Sequence, residues 1–185
     1  MSRRFELARK KDKETGEFLD EPAFPDVKMP EYSSPKAAGA DFFCAKTVTI
    51  PSIWSQVLGR ILHFGSCEVV IEGKNTSNIV PTLVHTGIKV CMEDDEVFEL
   101  YNRSGNPGKK GLILANGVGV VDADYYNSDN NDGEILFAFY NIFPWDVTIS
   151  EGDKIGQGVF KKFLRAENAK ISGVERTGGF GSTGK

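Results

Sequence analysis

Histidine and cysteine are scarce in this sequence, and no long hydrophobic run occurs. Only His63 and His85 are present, which makes a histidine-rich metal site an unfavourable interpretation. The three cysteines (Cys44, Cys67 and Cys91) lack CxxC spacing, which favours free, buried thiols in a reducing cytosol. No apolar run approaches the roughly 20 residues of a membrane helix. The net charge of −4 argues against a nucleic-acid polymer as the main partner. We therefore expect a cytoplasmic protein that does not span a membrane.

Short β-rich runs, broken by glycine, proline, asparagine and aspartate, dominate the 185 residues. A first strand is expected within residues 3–8, and the later runs cover residues 41–45, 46–50, 80–85, 88–92, 97–102, 111–115, 135–140, 147–149 and 158–163. Many short strands with close turns between them are typical of a sandwich or barrel. The sequence therefore predicts a single all-β domain.

Three segments depart from this pattern. Apolar residues at helical spacing predict an amphipathic helix over residues 52–63, inside an insertion that spans 52–78, and we expect it to pack on its own barrel. The charged segment 10–25 and the neighbouring cations (Arg9, Lys10, Lys11 and Lys13) are interpreted as a solvated loop. The polar run 127–132 is expected to be exposed because it has nothing apolar to bury.

The stretch from Asn116 to Tyr125 is the first candidate site. An apolar run enters it at 111–115 and another leaves it at 134–140, which predicts a β-hairpin with a polar, glycine-lined bend. A ligand can lie against glycine backbone, since glycine has no Cβ. Asp122 ends the apolar run 118–121, and we expect it to be partly desolvated and held by a strand, as a general base is. An acidic surface turn remains the alternative interpretation of this segment alone.

Two further segments suit phosphate. Arg103-Ser104-Gly105 ends a predicted strand and offers a guanidinium fork, a hydroxyl and an unobstructed amide, although a structural turn explains three residues equally well. The glycine-rich segment 174–185 is expected to be flexible by itself. Its aromatic, basic and hydroxyl residues suit a tail that closes over a nucleotide, with the ring on a base.

Five elements in order resemble the trimeric, all-β deoxyuridine triphosphate diphosphatases (dUTPases). They occupy residues 38–42, 103–105, 116–135, 152–157 and 176–184. The resemblance implies a distorted, jelly-roll-like β-barrel over residues 1–175 and a flexible C-terminal lid over residues 176–185. It also implies a homotrimer whose three active sites are each built from all three subunits. The implied reaction converts dUTP and water to dUMP and pyrophosphate with Mg²⁺.

The resemblance implies a role for each matching residue. Asp122 would be the general base, and Asp41 would meet the magnesium shell through water. Tyr125 would stack under the deoxyribose, with Tyr126 as the less favoured substitute. The uracil would be read by Asn116 and the backbone of Val120 and Val121, and capped by Phe180. Phosphates would be held by Arg103, Ser104, Gly105 and Gln157 of a neighbouring subunit and by Arg176, Ser182 and Thr183 of the tail.

The sequence departs from the family pattern at Ala40, Asn102, Lys154 and Thr177, and through the two insertions at 52–78 and 126–132. One alternative is a dCTP deaminase of similar fold, which would need a carboxylate in the strand after the bend; residues 135–139 contain none. Another is a regulatory protein on the same scaffold that binds a partner through 52–78 or 126–132.

Overall fold

Short strands dominate the protein in a computed structural model, which describes residues 3–61 and 79–170. The described strands are β1 (Arg4–Leu7), β2 (Arg9–Lys11), β3 (Phe18–Pro22), β4 (Glu31–Tyr32), β5 (Ala40–Phe43), β6 (Val48–Ile50), β7 (Thr82–Cys91), β8 (Glu96–Asn102), β9 (Leu112–Leu114), β10 (Gly119–Asp122), β11 (Glu134–Asn141), β12 (Val147–Ile149) and β13 (Lys154–Lys162). Each β-rich run of the sequence is confirmed as a strand, and the runs 80–85 and 88–92 merge into β7.

Two antiparallel sheets form the body of the described part of the chain. One has the order β1-β7-β11-β9 and the other the order β10-β8-β13-β5-β4, while β12-β6 and β2-β3 are separate pairs. Phenylalanine rings fill the space between the sheets: Phe42 of β5 lies 5.9 Å from Phe137 of β11, and Phe5 of β1 lies 5.9 Å from Phe98 of β8. Each fully buried ring contributes about 1.5–3 kcal/mol. The predicted all-β, jelly-roll-like fold is confirmed.

The prediction of a simple hairpin around residues 116–125 is wrong. The entering and leaving strands do pair, with Leu114 of β9 opposite Phe139 of β11. The segment between them crosses to the other sheet, where β10 pairs with β8 and Asp122 lies opposite Val97. The crossing places the candidate residues of β10 at the edge of the five-stranded sheet.

The N-terminal charged segment is a hairpin, not a loop, although Lys10, Lys11 and Lys13 are exposed as expected. Strand β2 pairs with β3, and the Arg9 side chain donates to Asp132, 2.6 Å from Nη2 to Oδ1. The expected exposure of residues 127–132 is confirmed at Asn127, Asp129 and Asn130 and is wrong at Ser128 and Asp132. The Asp132 side chain is fully buried against cations from β2 and β7. Ion pairing to distant strands compensates the burial of a segment that has no apolar side chain.

The inserted helix is confirmed over its described part, α1 (Ile53–Ile61), and the remainder of 52–78 lies outside the described residues. Ser52 caps it, since the Ser52 hydroxyl accepts from the Trp54 amide at 3.1 Å. The Trp54 ring nitrogen donates to the Ile142 carbonyl at 3.0 Å, which attaches α1 to its own barrel as expected. No helix in residues 3–61 and 79–170 is long and apolar enough to cross a membrane.

Gly158 of β13 allows the two sheets to approach. A Cβ at this position would lie 2.0 Å from the Phe98 ring and 3.0 Å from Phe42, and both rings are fully buried. We predict that Gly158→Ala lowers the free energy of unfolding by about 1–3 kcal/mol through overpacking, measured by urea denaturation at fixed protein concentration. Gly108→Ala is the control, because no atom lies within 4 Å of a Cβ there. Equal stability of both variants would contradict this account of the core.

Candidate active site

Asp122 ends an edge strand of the five-stranded sheet. Strand β10 pairs with β8 on one side, and no other described strand pairs with it. The Asp122 side chain is exposed, so the expected partial desolvation is wrong for a single subunit. It lines a depression of about 510 Å³ with acidic neighbours from the β7–β8 connection (Asp94) and β8 (Glu96), and with Arg165. A carboxylate held at a strand end and open to water can accept a proton.

The turn before β10 leaves backbone and side chain open to a flat ligand. Gly117 has φ +70, and nothing lies within 4 Å of a Cβ placed on it. The turn is closed by the Gly117 amide, which donates to the Leu114 carbonyl at 3.0 Å. Asn116 is exposed, and the Val120 side chain is 61% exposed. Val121 is buried and anchors the strand to the core.

Tyr125 is fixed beneath this segment. Its ring is buried, and its hydroxyl donates to the Glu134 carbonyl at 3.2 Å while the Asn131 amide nitrogen lies 2.9 Å from the same hydroxyl. The hydroxyl is therefore engaged within the chain, which holds Tyr125 in place. The Tyr126 hydroxyl instead donates to Glu6 at 2.6 Å, on the N-terminal strand β1.

A second cluster lies where β8 ends. The loop Arg103–Gly105 leads into a single π-helical turn, Asn106–Lys110. Asn106 is buried, and its amide nitrogen donates to the Asn102 side chain at 2.7 Å and to the Ile155 carbonyl at 2.8 Å. These bonds hold the loop against β13. Arg103 reaches the same strand through the Lys154 carbonyl, 3.2 Å from Nη1.

Asp41 and Gln157 extend this cluster across two neighbouring strands. They lie opposite each other on β5 and β13, and Gln157 Nε2 donates to Asp41 Oδ1 at 2.9 Å. Lys154 Nζ donates to Asp41 Oδ2 at 2.7 Å. Burial by itself would raise the pKa of Asp41, but the bonds from Lys154 and Gln157 and the positive charges of Lys154 and Arg103 outweigh it and lower the pKa. The carboxylate is therefore ionised and buried.

The two clusters stand at opposite ends of β8. Asp122 lies opposite Val97 at the start of the strand, and Arg103 follows Asn102 at its end. Five steps of about 3.4 Å separate these ends by roughly 17 Å. Within a single subunit, Asp122 and the Arg103–Gly105 loop are therefore held at opposite ends of β8.

Some site residues were missed or cannot be placed. Arg176, Phe180, Ser182 and Thr183 lie outside the described residues. Asn131, which holds the Tyr125 hydroxyl, was missed; its Asn-Asp-Gly context is a turn signal that marks a built loop. The strand after the bend begins at Glu134, so it does carry a carboxylate. That group is buried and accepts from the Gly87 amide at 2.8 Å, beside His85.

Comparisons with known proteins show the family of this chain. The dUTPase family model matches residues 74–184. A deoxyuridine 5'-triphosphate nucleotidohydrolase of Lactococcus lactis is 45% identical over 118 residues, which cover 62% of this chain and 79% of that protein. The chain belongs to the dUTPase family. Family membership favours the nucleotidohydrolase interpretation over the deaminase one.

Solved dUTPases share the fold. The crystal structure of a dUTPase from Streptococcus mutans superposes with a TM-score of 0.63 at 32% identity, covering 89% of this chain and 98% of that one. A dUTPase variant from phage phi11 of Staphylococcus aureus superposes with a TM-score of 0.58 at 18% identity, covering 95% of this chain and 100% of that one. That phage protein coordinates a structural Mg(II) ion.

The lowered pKa of Asp41 predicts an acid-dependent stability of this dUTPase. The ionised carboxylate stabilises the folded state fully above the ordinary aspartate pKa of about 4, and this contribution is lost as pH falls through the lower folded value. We expect Asp41→Asn to destabilise the protein at pH 6, with the difference from the unaltered protein shrinking below pH 4. Urea unfolding across that pH range measures it. A difference that stays constant with pH would contradict the lowered pKa of Asp41.

Proposed function

We propose that this dUTPase hydrolyses dUTP to dUMP and pyrophosphate, with Asp122 as the general base. The observation that carries the proposal is the layout of one short segment. It presents an open turn at Asn116, an exposed carboxylate at the end of an edge strand and a ring fixed at Tyr125. One bound nucleotide needs all three: the open turn can contact its uracil, the carboxylate can activate water at its α-phosphorus, and the ring can pack under its sugar.

The base and the sugar would lie along β10. The Asn116 amide can both donate to and accept from a uracil edge, and the backbone of Val120 and Val121 runs along the edge of the sheet. A cytosine edge presents the opposite donor and acceptor pattern at positions 3 and 4. The Tyr125 ring would lie under the deoxyribose and leave no room for a 2′-hydroxyl, because the ring is fixed in place by its hydroxyl bonds. Tyr126 is committed to Glu6, which supports Tyr125 for this role.

Asp122 would take a proton from the water that attacks the α-phosphorus. The new bond forms between the water oxygen and the α-phosphorus, and the bond from the α-phosphorus to the bridging oxygen breaks. The electron pair of that bond leaves with pyrophosphate. The exposed position of Asp122 lets a water reach it, and its anchoring to β8 through β10 limits its motion.

The phosphates would be held by a different subunit. Arg103, Ser104 and Gly105 follow the end of β8 that is far from Asp122, and Gln157 lies at the same end, paired with Asp41 and Tyr101. A homotrimer in which the ends of neighbouring subunits meet would bring both clusters onto one nucleotide. This assembly also explains why the depression at Asp122 contains few cations in a single chain.

The residues fit Mg²⁺ held by substrate and water, not by a cage of protein ligands. Among the described residues, no group of three or more histidine, cysteine or carboxylate side chains is placed to hold a metal. Mg²⁺ prefers oxygen ligands and keeps its waters, so substrate phosphates can supply most of its shell. Each Asp41 oxygen accepts one protein donor and retains acceptor capacity for a water of that shell. When bound, the ion would neutralise charge on the phosphates.

The C-terminal tail would complete the site. In this proposal Phe180 caps the base, and Arg176, Ser182 and Thr183 clasp the terminal phosphates. A closing segment excludes bulk water and aligns the phosphate chain.

Of the two insertions, 52–78 is the better candidate for binding a protein partner, and 126–132 is the weaker one. The loop 126–132 is tied into its own chain by Asp132 and Asn131, and Ser128 and Asp132 are buried. The start of the 52–78 insertion presents Trp54, which is 52% exposed. A protein partner, if present, is therefore better sought at 52–78, by comparing capture with and without that segment.

Replacing the base tests the proposed chemistry. Asp122→Asn keeps the shape of the side chain and removes its basicity, so we expect kcat to fall by about 10²–10⁴-fold while a non-hydrolysable dUTP analogue still binds. Pyrophosphate release and calorimetric titration measure the two effects. Asp94→Asn is the control, because it removes one negative charge from the same depression. Unchanged turnover in Asp122→Asn would refute the assignment.

Mixing two inactive variants tests the shared site. We expect Asp122→Asn and Arg103→Ala to be inactive alone and to recover activity when co-assembled. If each site takes these two residues from different subunits, about a quarter of the sites in a random 1:1 mixture are intact. Pyrophosphate release from oligomers whose mixed composition is verified by mass spectrometry gives the result. Mixed oligomers without activity would mean that one subunit supplies both residues.

A further inference from the structure

A buried ion cluster joins the N-terminal hairpin to the loop that follows the proposed active-site segment. We call Arg9, Lys89 and Asp132 the clamp. The Asp132 side chain is fully buried and that of Lys89 is 5% exposed, with 2.7 Å between Lys89 Nζ and Asp132 Oδ2. Arg9 donates to the same carboxylate from its backbone amide at 2.8 Å and from Nη2 at 2.6 Å. Two strands distant in sequence thus hold one carboxylate.

Lys89 holds both ends of the loop. Besides Asp132, its Nζ donates to Asn127 Oδ1 at 2.6 Å. Asn127 and Asp132 both have φ 58, a left-handed conformation that asparagine and aspartate adopt more readily than other non-glycine residues but that still costs free energy. Contacts from outside the loop stabilise this shape. The clamp provides these contacts. Burial by itself would raise the pKa of Asp132, but the bonds from Arg9 and Lys89 outweigh it and lower the pKa.

The loop in turn holds Tyr125. Asp132 lies between the residues whose side chain and carbonyl contact the Tyr125 hydroxyl, Asn131 at 2.9 Å and Glu134 at 3.2 Å. Gly133 packs its backbone so closely that a Cβ there would lie 2.5 Å from the Tyr125 carbonyl oxygen. A shift of Asp132 cannot leave these contacts unchanged, because they belong to adjacent residues in a tight turn.

We propose that Arg9, Lys89 and Asp132 are positioning residues that fix the Tyr125 ring and thereby set the discrimination between deoxyribose and ribose. The inference rests on the proposed function for its catalytic part. Arg9 lies on the N-terminal hairpin, outside the residues 74–184 that match the family model.

Arg9→Ala is the main test, because the Arg9 side chain is 39% exposed and its loss leaves the Lys89–Asp132 pair intact. Lys10→Ala is the matched control: it removes a neighbouring cation of the same strand, whose pair with Glu21 is exposed and 3.6 Å long. Asp132→Asn is the stronger variant. Amide hydrogen exchange over residues 123–134 without nucleotide, and kcat and KM for dUTP and for UTP, are measured for each.

We expect Arg9→Ala to accelerate exchange over residues 123–134 and to lower the kcat/KM ratio of dUTP over UTP, each on the order of tenfold. Asp132→Asn should change both the exchange rate and the kcat/KM ratio by more than Arg9→Ala does. Lys10→Ala should leave both at the values of the unaltered protein. When Asp132→Asn is already present, Arg9→Ala should change the exchange rate and the kcat/KM ratio little further, since both substitutions act through one carboxylate.

Equal exchange in Arg9→Ala and Lys10→Ala would overturn the clamp. Faster exchange with an unchanged ratio of dUTP over UTP would overturn its positioning role and leave a purely structural one. If the unaltered protein turned over no dUTP, the proposed function and the catalytic part of this inference would both fail. The exchange data would still decide whether the clamp holds Tyr125.

Discussion

The length of strand β8 determines how a site can be built from this chain. Pairing along β8 fixes Asp122 opposite Val97 at one end, and the Arg103–Gly105 loop follows the other end. The rigid sheet keeps these groups apart, whereas one triphosphate needs a base at its first phosphorus and donors along its chain. In the proposed site, neighbouring subunits join to satisfy both conditions. Each subunit would then contribute the Asn116–Tyr125 segment to one site and the Arg103–Gly105 loop to another.

Hydrogen-bonded ion pairs to two buried carboxylates, Asp41 and Asp132, fix the local geometry at two places in this scaffold. Near the end of β8, Lys154 and Gln157 hold Asp41, and at the loop behind Tyr125, Arg9 and Lys89 hold Asp132. In each case a buried carboxylate is kept ionised by donors from other strands. Such pairs add little net stability, but removing one partner is costly, so they specify one geometry. The apolar core of phenylalanine rings supplies the stability, and the ion pairs direct the loops.

The sequence predicted the elements that depend on local pattern. The β-rich runs, helix α1 and the ordered family motifs are readable because alternation, helical spacing and glycine turns are local signals. It did not predict that Asp132 is buried, since its partners are 123 residues away at Arg9 and 43 residues away at Lys89. The crossing of β10 to β8 was missed for the same reason. Adjacent apolar runs favour a hairpin, and only the packing of two sheets separates β9 from β10.

The most direct test of the account is a crystal structure with magnesium and a non-hydrolysable dUTP analogue. The account predicts that the Asp122 carboxylate lies within about 3 Å of a water in line with the α-phosphorus, and that Arg103 of a different subunit contacts the phosphates of the same nucleotide. An Asp122 side chain turned away from that phosphorus, or both residues supplied by one subunit, would contradict it.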